Sequence, residues 1–278
     1  MTFVLAEVVK NIKTVVAKVN KMDKKVILIS IDGLRPDGLK ACGHQFLGEL
    51  EKISTYTYDA LTVFPSVTLP CHYSMTHSVD PSRHGILTNT YVPEVRPVKG
   101  LFEKLTDYGK VCGMYYSWEE LRNIVSPGTL RMTHCLSKLI LNKHTNDIIT
   151  ERSIQDIEKF NPDFFMIYLG DTDSWGHNSG WMSEDYLNVA YNAVENVKRI
   201  IERYSKDHTI IIMADHGGHD RIHGTQLKED MTIPLFFIGE EFEKNKQLSG
   251  GSILDIAPTV AKVFDIPADE DWEGKSII

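Results

Sequence analysis

Apolar residues along this chain gather into short unbroken runs, separated by stretches in which they recur at helical spacing. Val26–Ile31, Phe164–Leu169 and Ile210–Ala214 are such runs, five or six residues long. Runs of that length predict strands buried on both faces of a parallel sheet. Between them, Ile148–Phe160 and Trp181–Tyr204 predict helices, the first ended by Asn161-Pro162. Further helices are predicted over Cys42–Ser54, Tyr73–His77, Leu101–Tyr108 and Ile253–Phe264, and further strands over Tyr58–Val63, Val111–Tyr115 and Ile233–Gly239. Residues 4–19 have an amphipathic helical pattern, suited to packing on the sheet or on a partner subunit of a homo-oligomer. The alternation of strand and helix predicts a three-layer, doubly wound α/β fold, its mostly parallel sheet covered by helices on both faces. No repeat or linker divides the 278 residues, so one domain over 1–278 is expected, with 86–145 as a candidate small insert or cap.

Composition narrows the partners. A net charge of −8 without any basic block argues against a nucleic-acid scaffold. A phosphate-bearing ligand would have to be held by local cations, metals included. No run reaches the roughly twenty apolar residues of a membrane span. Glu7 and Lys10 interrupt the N-terminal stretch before a signal-peptide core forms. The cysteines Cys42, Cys71, Cys112 and Cys135 form no C-x-x-C pair. A reducing, cytoplasmic setting is the expectation.

The candidate chemistry lies where the apolar runs stop. The first run ends at Asp32, the second at Asp171-Thr-Asp173-Ser-Trp-Gly-His177, and the third at Asp215-His216-Gly-Gly-His219, with His223 close behind. Open α/β sheets place their sites just beyond the carboxyl ends of such strands. Asp173 and His177, four apart, share one helix face, although a solvated helix start would show the same pattern. The imidazoles of His216, His219 and His223 fall within eight residues, beside glycines that let the backbone turn. With Asp32, the ligand count suits two divalent metal ions, zinc by preference, then manganese or iron. Thr68, in Pro65-Ser-Val-Thr-Leu-Pro70, is placed to open a helix, its hydroxyl against unsatisfied N–H groups. That position fits a helix N-cap as well as a nucleophile.

Five stretches together carry a resemblance: Ile-Asp-Gly-Leu-Arg-Pro-Asp37, Phe-Pro-Ser-Val-Thr-Leu-Pro-Cys-His-Tyr-Ser74, Pro-Ser-Arg-His-Gly85, Thr-Asp-Ser-Trp-Gly-His177 and Ala-Asp-His-Gly-Gly-His-Asp-Arg-Ile-His-Gly224. In that order they resemble the alkaline phosphatase superfamily, in its nucleotide pyrophosphatase/phosphodiesterase branch. The resemblance implies one metal on Asp173, His177 and His223, and a second on Asp32, Asp215 and His216. Thr68 would bridge toward the second as nucleophile, and His219 would serve in support. The implied activity is hydrolysis of a small phosphodiester or nucleotide pyrophosphate, through a covalent phosphothreonine and usually with two zinc ions. Phosphomonoesters, phosphonates and sulfate esters are chemically adjacent, but the Cys-x-Pro-x-Arg sequence of a sulfatase is absent. Cys71 is the candidate substrate contact that departs from the branch, which usually has an asparagine there to donate to a phosphoryl oxygen. A phosphomutase would need an added lid domain. A non-catalytic metal-binding module would favour closed, Cys-rich ligand sets over this Asp/His-rich one.

Overall fold

Three buried strands lie side by side in the middle of the sheet, and their order explains why the candidate residues meet. The computed structural model describes residues 24–137 and 144–278. Its strands are β1 (Val26–Ile31), β2 (Thr55–Leu61), β3 (Cys112–Tyr116), β4 (Leu130–Cys135), β5 (Phe164–Leu169), β6 (Thr209–Met213), β7 (Thr232–Ile238) and β8 (Lys246–Gln247). They pair in the order β4-β3-β5-β1-β6-β7-β2-β8. β7 is antiparallel to both of its neighbours, and every other pairing is parallel. The fold is thus the expected mostly parallel α/β sheet packed with helices. Segment 86–145 puts β3 and β4 into this same sheet. The helix expected over residues 4–19 lies outside the described residues.

In register, Ile31 is level with Leu169 and Ser30 with Met213. Asp32, the turn after Leu169 and the Ala214-Asp215 step therefore leave the sheet next to one another. All residues of β1, β5 and β6 are buried, as the unbroken apolar runs require.

The helices are α1 (Pro36–Ala41), α2 (Leu47–Ile53), α3 (Thr68–His77), α4 (Pro81–His84), α5 (Leu101–Asp107), α6 (Thr145–Phe160), α7 (Asp171–Ser179), α8 (Glu184–Tyr204), α9 (Lys228–Met231) and α10 (Ile256–Val263). α6 starts three residues earlier than expected, at Thr145, and α10 three later, at Ile256, and three further departures have a local cause. The helix expected over 42–54 begins only at Leu47, because Gly43 turns the chain at a φ of +71°. α3 starts at Thr68 and not near Tyr73. Pro70 sits in its first turn, where a missing N–H breaks no helical hydrogen bond. α8 starts at Glu184, because Ser183 caps it and Trp181 turns away, its N–H donating to the Asp220 carbonyl at 2.8 Å.

Candidate metal centre

Asp32 follows β1 directly, and Asp215 follows β6 after a single residue. Both carboxylates are buried, at 1 % and 0 % exposure. Tyr168, on the adjacent β5, donates its hydroxyl to Asp32 Oδ2. The Gly33 N–H donates to Asp215 Oδ1 at 3.1 Å. Each carboxylate is left with one buried oxygen, Asp32 Oδ1 and Asp215 Oδ2, that accepts no hydrogen bond. Between them lies His216, its Nε2 3.3 Å from Asp32 Oδ1 and 3.4 Å from Asp215 Oδ2. His216 Nδ1 donates to the Gly217 carbonyl at 2.7 Å, so Nε2 carries the lone pair.

The second group is more open. Asp173 stands in the first turn of α7, and its Oδ1 is likewise buried without a hydrogen-bond partner. His177 Nε2 lies 3.4 Å and His223 Nε2 3.6 Å from that oxygen. His177 Nδ1 donates to the Arg221 carbonyl and His223 Nδ1 to the Ser66 carbonyl, both at 2.8 Å. All three histidines are thus held in the tautomer that leaves Nε2 free to bind a cation. The ligand atoms of Asp32, Asp215 and His216 lie within 4.8 Å of one another. So do those of Asp173, His216 and His223, with His216 common to both groups. His177 stands at the solvent edge of this second group, its side chain 45 % exposed.

Without cations the cluster is electrostatically unfavourable. Burial, then the charges of Asp173 and Asp215, push the Asp32 carboxyl well above its usual range. Burial raises Asp215 as well. Burial lowers His216, and with His216 nearby it brings His223 down to about 4, so both imidazoles stay neutral. Three orphaned carboxylate oxygens facing neutral imidazole lone pairs fit divalent metal ions.

Thr68 is the first residue of α3, and Val67 is the N-cap. The capping reading of Thr68 is therefore replaced by another contact, with Oγ1 3.1 Å from His216 Nε2. Every residue of α3 is buried, which fixes the hydroxyl's position. His72, one turn on, is held between Ser30 Oγ (2.9 Å) and the Thr68 carbonyl (2.8 Å).

Cys71 is placed differently from the expectation. Its side chain is 0 % exposed within the hydrophobic core, and Thr62 Oγ1 lies 3.2 Å from its sulfur. Burial and the Asp215 charge hold the thiol well above its normal range. Asn89 reaches the start of α3 instead, its Oδ1 accepting the Leu69 N–H at 3.0 Å. Asn89 was not among the sequence candidates, since it is an ordinary polar loop residue until the contact with α3 is seen. His219 stands apart from the metal groups and bonds to Asp230.

Two glycines make these approaches possible. Gly33 has φ +69°, and a Cβ there would meet the Asp173 backbone at 3.0 Å. A Cβ on Gly218 would meet the Trp181 ring at 2.2 Å, and that ring packs edge-on against His177 and His223.

The metalloenzyme superfamily model matches residues 119–268, just over half of the chain. The chain belongs to this superfamily. A type I phosphodiesterase / nucleotide pyrophosphatase model matches residues 26–123, a similarity to that branch of the alkaline phosphatase superfamily. Over 139 residues it is 29 % identical to the 2,3-bisphosphoglycerate-independent phosphoglycerate mutase of Cellvibrio japonicus, covering 47 % of this chain and 26 % of the mutase. Over 214 residues it is 25 % identical to the rat (Rattus norvegicus) ectonucleotide pyrophosphatase/phosphodiesterase family member 1, covering 69 % of this chain and 24 % of the relative. The chain thus spans about a quarter of the length of these curated relatives. In fold it is similar to murine ectonucleotide pyrophosphatase/phosphodiesterase 5, an inactive variant in complex with AMP, with a TM-score of 0.74 at 14 % identity, covering 88 % of this chain and 96 % of that one. Among the described residues, no helix is long and apolar enough to cross a membrane.

Proposed function

We propose that the chain hydrolyses phosphodiester or nucleotide pyrophosphate bonds with Thr68 as nucleophile. The observation that carries this reading is the Thr68 hydroxyl, fixed at the start of a fully buried helix and 3.1 Å from His216 Nε2, beside carboxylate oxygens that lack partners. Asp32, Asp215 and His216 would hold one divalent ion and Asp173, His177 and His223 the other, zinc being the first candidate for both. When bound, the ions supply positive charge that lowers the pKa of the attacking hydroxyl and offsets charge on the phosphoryl oxygens.

The chain's own groups do the rest. The α3 N-terminus directs backbone N–H groups and the positive end of its dipole at the phosphoryl group. Asn89 offers its amide N–H groups to a phosphoryl oxygen, the donor role first attached to position 71. The Thr68 oxygen displaces the leaving oxygen and forms a phosphothreonine, which water then hydrolyses. Phe64, Leu87, Tyr91 and Ile222, on the loops around Thr68, are 36–54 % exposed. An apolar rim of this kind favours esters with a bulky organic substituent over small monoesters.

The test is Thr68→Ala on zinc-loaded protein, with a chromogenic phosphodiester and a monoester in parallel. Hydrolysis should fall by about 10⁴-fold or more, the scale set by removing a nucleophile elsewhere, while two metals stay bound. Full activity in the variant with metals bound would refute the role of Thr68. The likeness to the mutase supplies the rival reading, which phosphate rearrangement without release would favour.

A further inference from the structure

We propose that Asp230 is a positioning residue for the outer metal set (Asp173, His177 and His223), acting through His219 and Thr225 on His223. The proposal rests on the two-metal reading above. Asp230 lies in α9 and is 0 % exposed. Its Oδ1 accepts His219 Nδ1–H at 2.7 Å. Its Oδ2 accepts both the N–H (2.9 Å) and the hydroxyl (2.7 Å) of Thr225. His219 and Thr225 flank His223 in the chain, so one carboxylate draws both sides of the ligand loop to a single point. Ser66 completes the clamp, accepting from His223 Nδ1 through its carbonyl and donating its hydroxyl to the Thr225 carbonyl at 2.8 Å.

The inner set (Asp32, Asp215 and His216) is attached to Asp230 differently. The Gly217 N–H, next to His216, donates to the Asp230 backbone carbonyl at 2.8 Å. A side-chain substitution leaves that bond in place. Asp230→Asn is nearly isosteric but swaps one acceptor oxygen for a donor NH₂, which must then face either the His219 N–H or the Thr225 N–H. One flank of His223 is released whichever way the amide turns. The structure therefore assigns Asp230 an effect on one metal and not the other.

The experiment is a stepwise zinc titration of the full chain against a competing chelator, read as the affinity of each equivalent. In Asp230→Asn the weaker equivalent should lose about 10–100-fold, the range for removing a group that orients a metal ligand, and the tighter one should stay unchanged. Thr225→Val should show a smaller loss of the same equivalent, and Thr225→Ser should restore it. These variants also carry the test if Asp230→Asn does not fold. Equal loss of both equivalents, or loss of neither, overturns the assignment while leaving the hydrolase reading intact. A wild-type chain that binds no second zinc overturns both readings together.

Discussion

The inner and outer halves of the site share His216 and differ in almost everything else. The inner side chains, Asp32, Asp215 and His216, are 1 %, 0 % and 0 % exposed, and they hang from the ends of two central strands. In the outer half, Asp173 is 17 % and His177 45 % exposed on one short helix, and His223, 8 % exposed, is on the facing loop. Burial gives the inner carboxylates rigid placement at an electrostatic cost that a bound cation would offset. The outer half is more accessible, as an open edge where substrate enters would require. This contrast suggests that the inner half sets the stability of the metal-free chain, while the outer half sets how readily an ion is exchanged.

The sharpest way to break the contrast is Asp32→Asn. Losing an inner ligand should lower hydrolysis about 1,000-fold or more, since a metal's charge is worth several kcal/mol to the reaction. The same change should stabilise the metal-free protein by about 1–2 kcal/mol, because it removes a buried charge crowded by Asp173 and Asp215. Activity assays and denaturant midpoints in chelator would show both effects. A metal-free variant less stable than its parent would mean that the inner carboxylates are not under electrostatic strain.

Next in size is the acid response of α3, the helix that carries Thr68 into the inner half. Burial lowers His77, near its C-terminal end, and His84, against Ser74, to about 4. Folding favours their neutral forms, so this stability is fully present above the unfolded histidine pKa near 6.5 and is lost as pH falls from there toward 4. For His77, 3 % exposed, the loss should approach about 3 kcal/mol at the acid end. His77→Gln should flatten the fall in denaturation midpoint between pH 6.5 and 4.5. An unchanged slope would place the acid-sensitive groups elsewhere.

Much of this was legible in the chain because the informative residues follow apolar runs. Asp32, Asp173 and Asp215 could be assigned to one sheet edge from strand logic alone, and parallel pairing in the order β5-β1-β6 supplies the reason they meet. The orientation of His177 and His223 was not legible, since their Nδ1 atoms are fixed by carbonyls far away in sequence, those of Arg221 and Ser66. Tyr168 was hidden inside an apolar strand, and Asp230 inside a polar stretch without pattern. Cys71, buried in the core, and Asn89, bonded to the start of α3, show a related limit. Position in a motif does not reveal which side chain faces the core and which faces the open edge of a helix.

The smallest effect tests the membership of the outer half itself. His177 was expected as a ligand, yet the compact outer group consists of Asp173, His216 and His223, with His177 beside it. Its ring touches Asp173, His223 and Trp181 from the solvent side and anchors no core packing. His177→Ala should therefore change stability by only about 0.5 kcal/mol, as surface substitutions do. If the compact trio suffices to seat an ion, the variant should lose about tenfold in outer-metal affinity, and raising buffered free zinc by a similar factor should restore hydrolysis. Failure to recover at any zinc concentration would show that access was not the only property of this edge, because the exposed imidazole would then be as necessary a ligand as the buried one it faces.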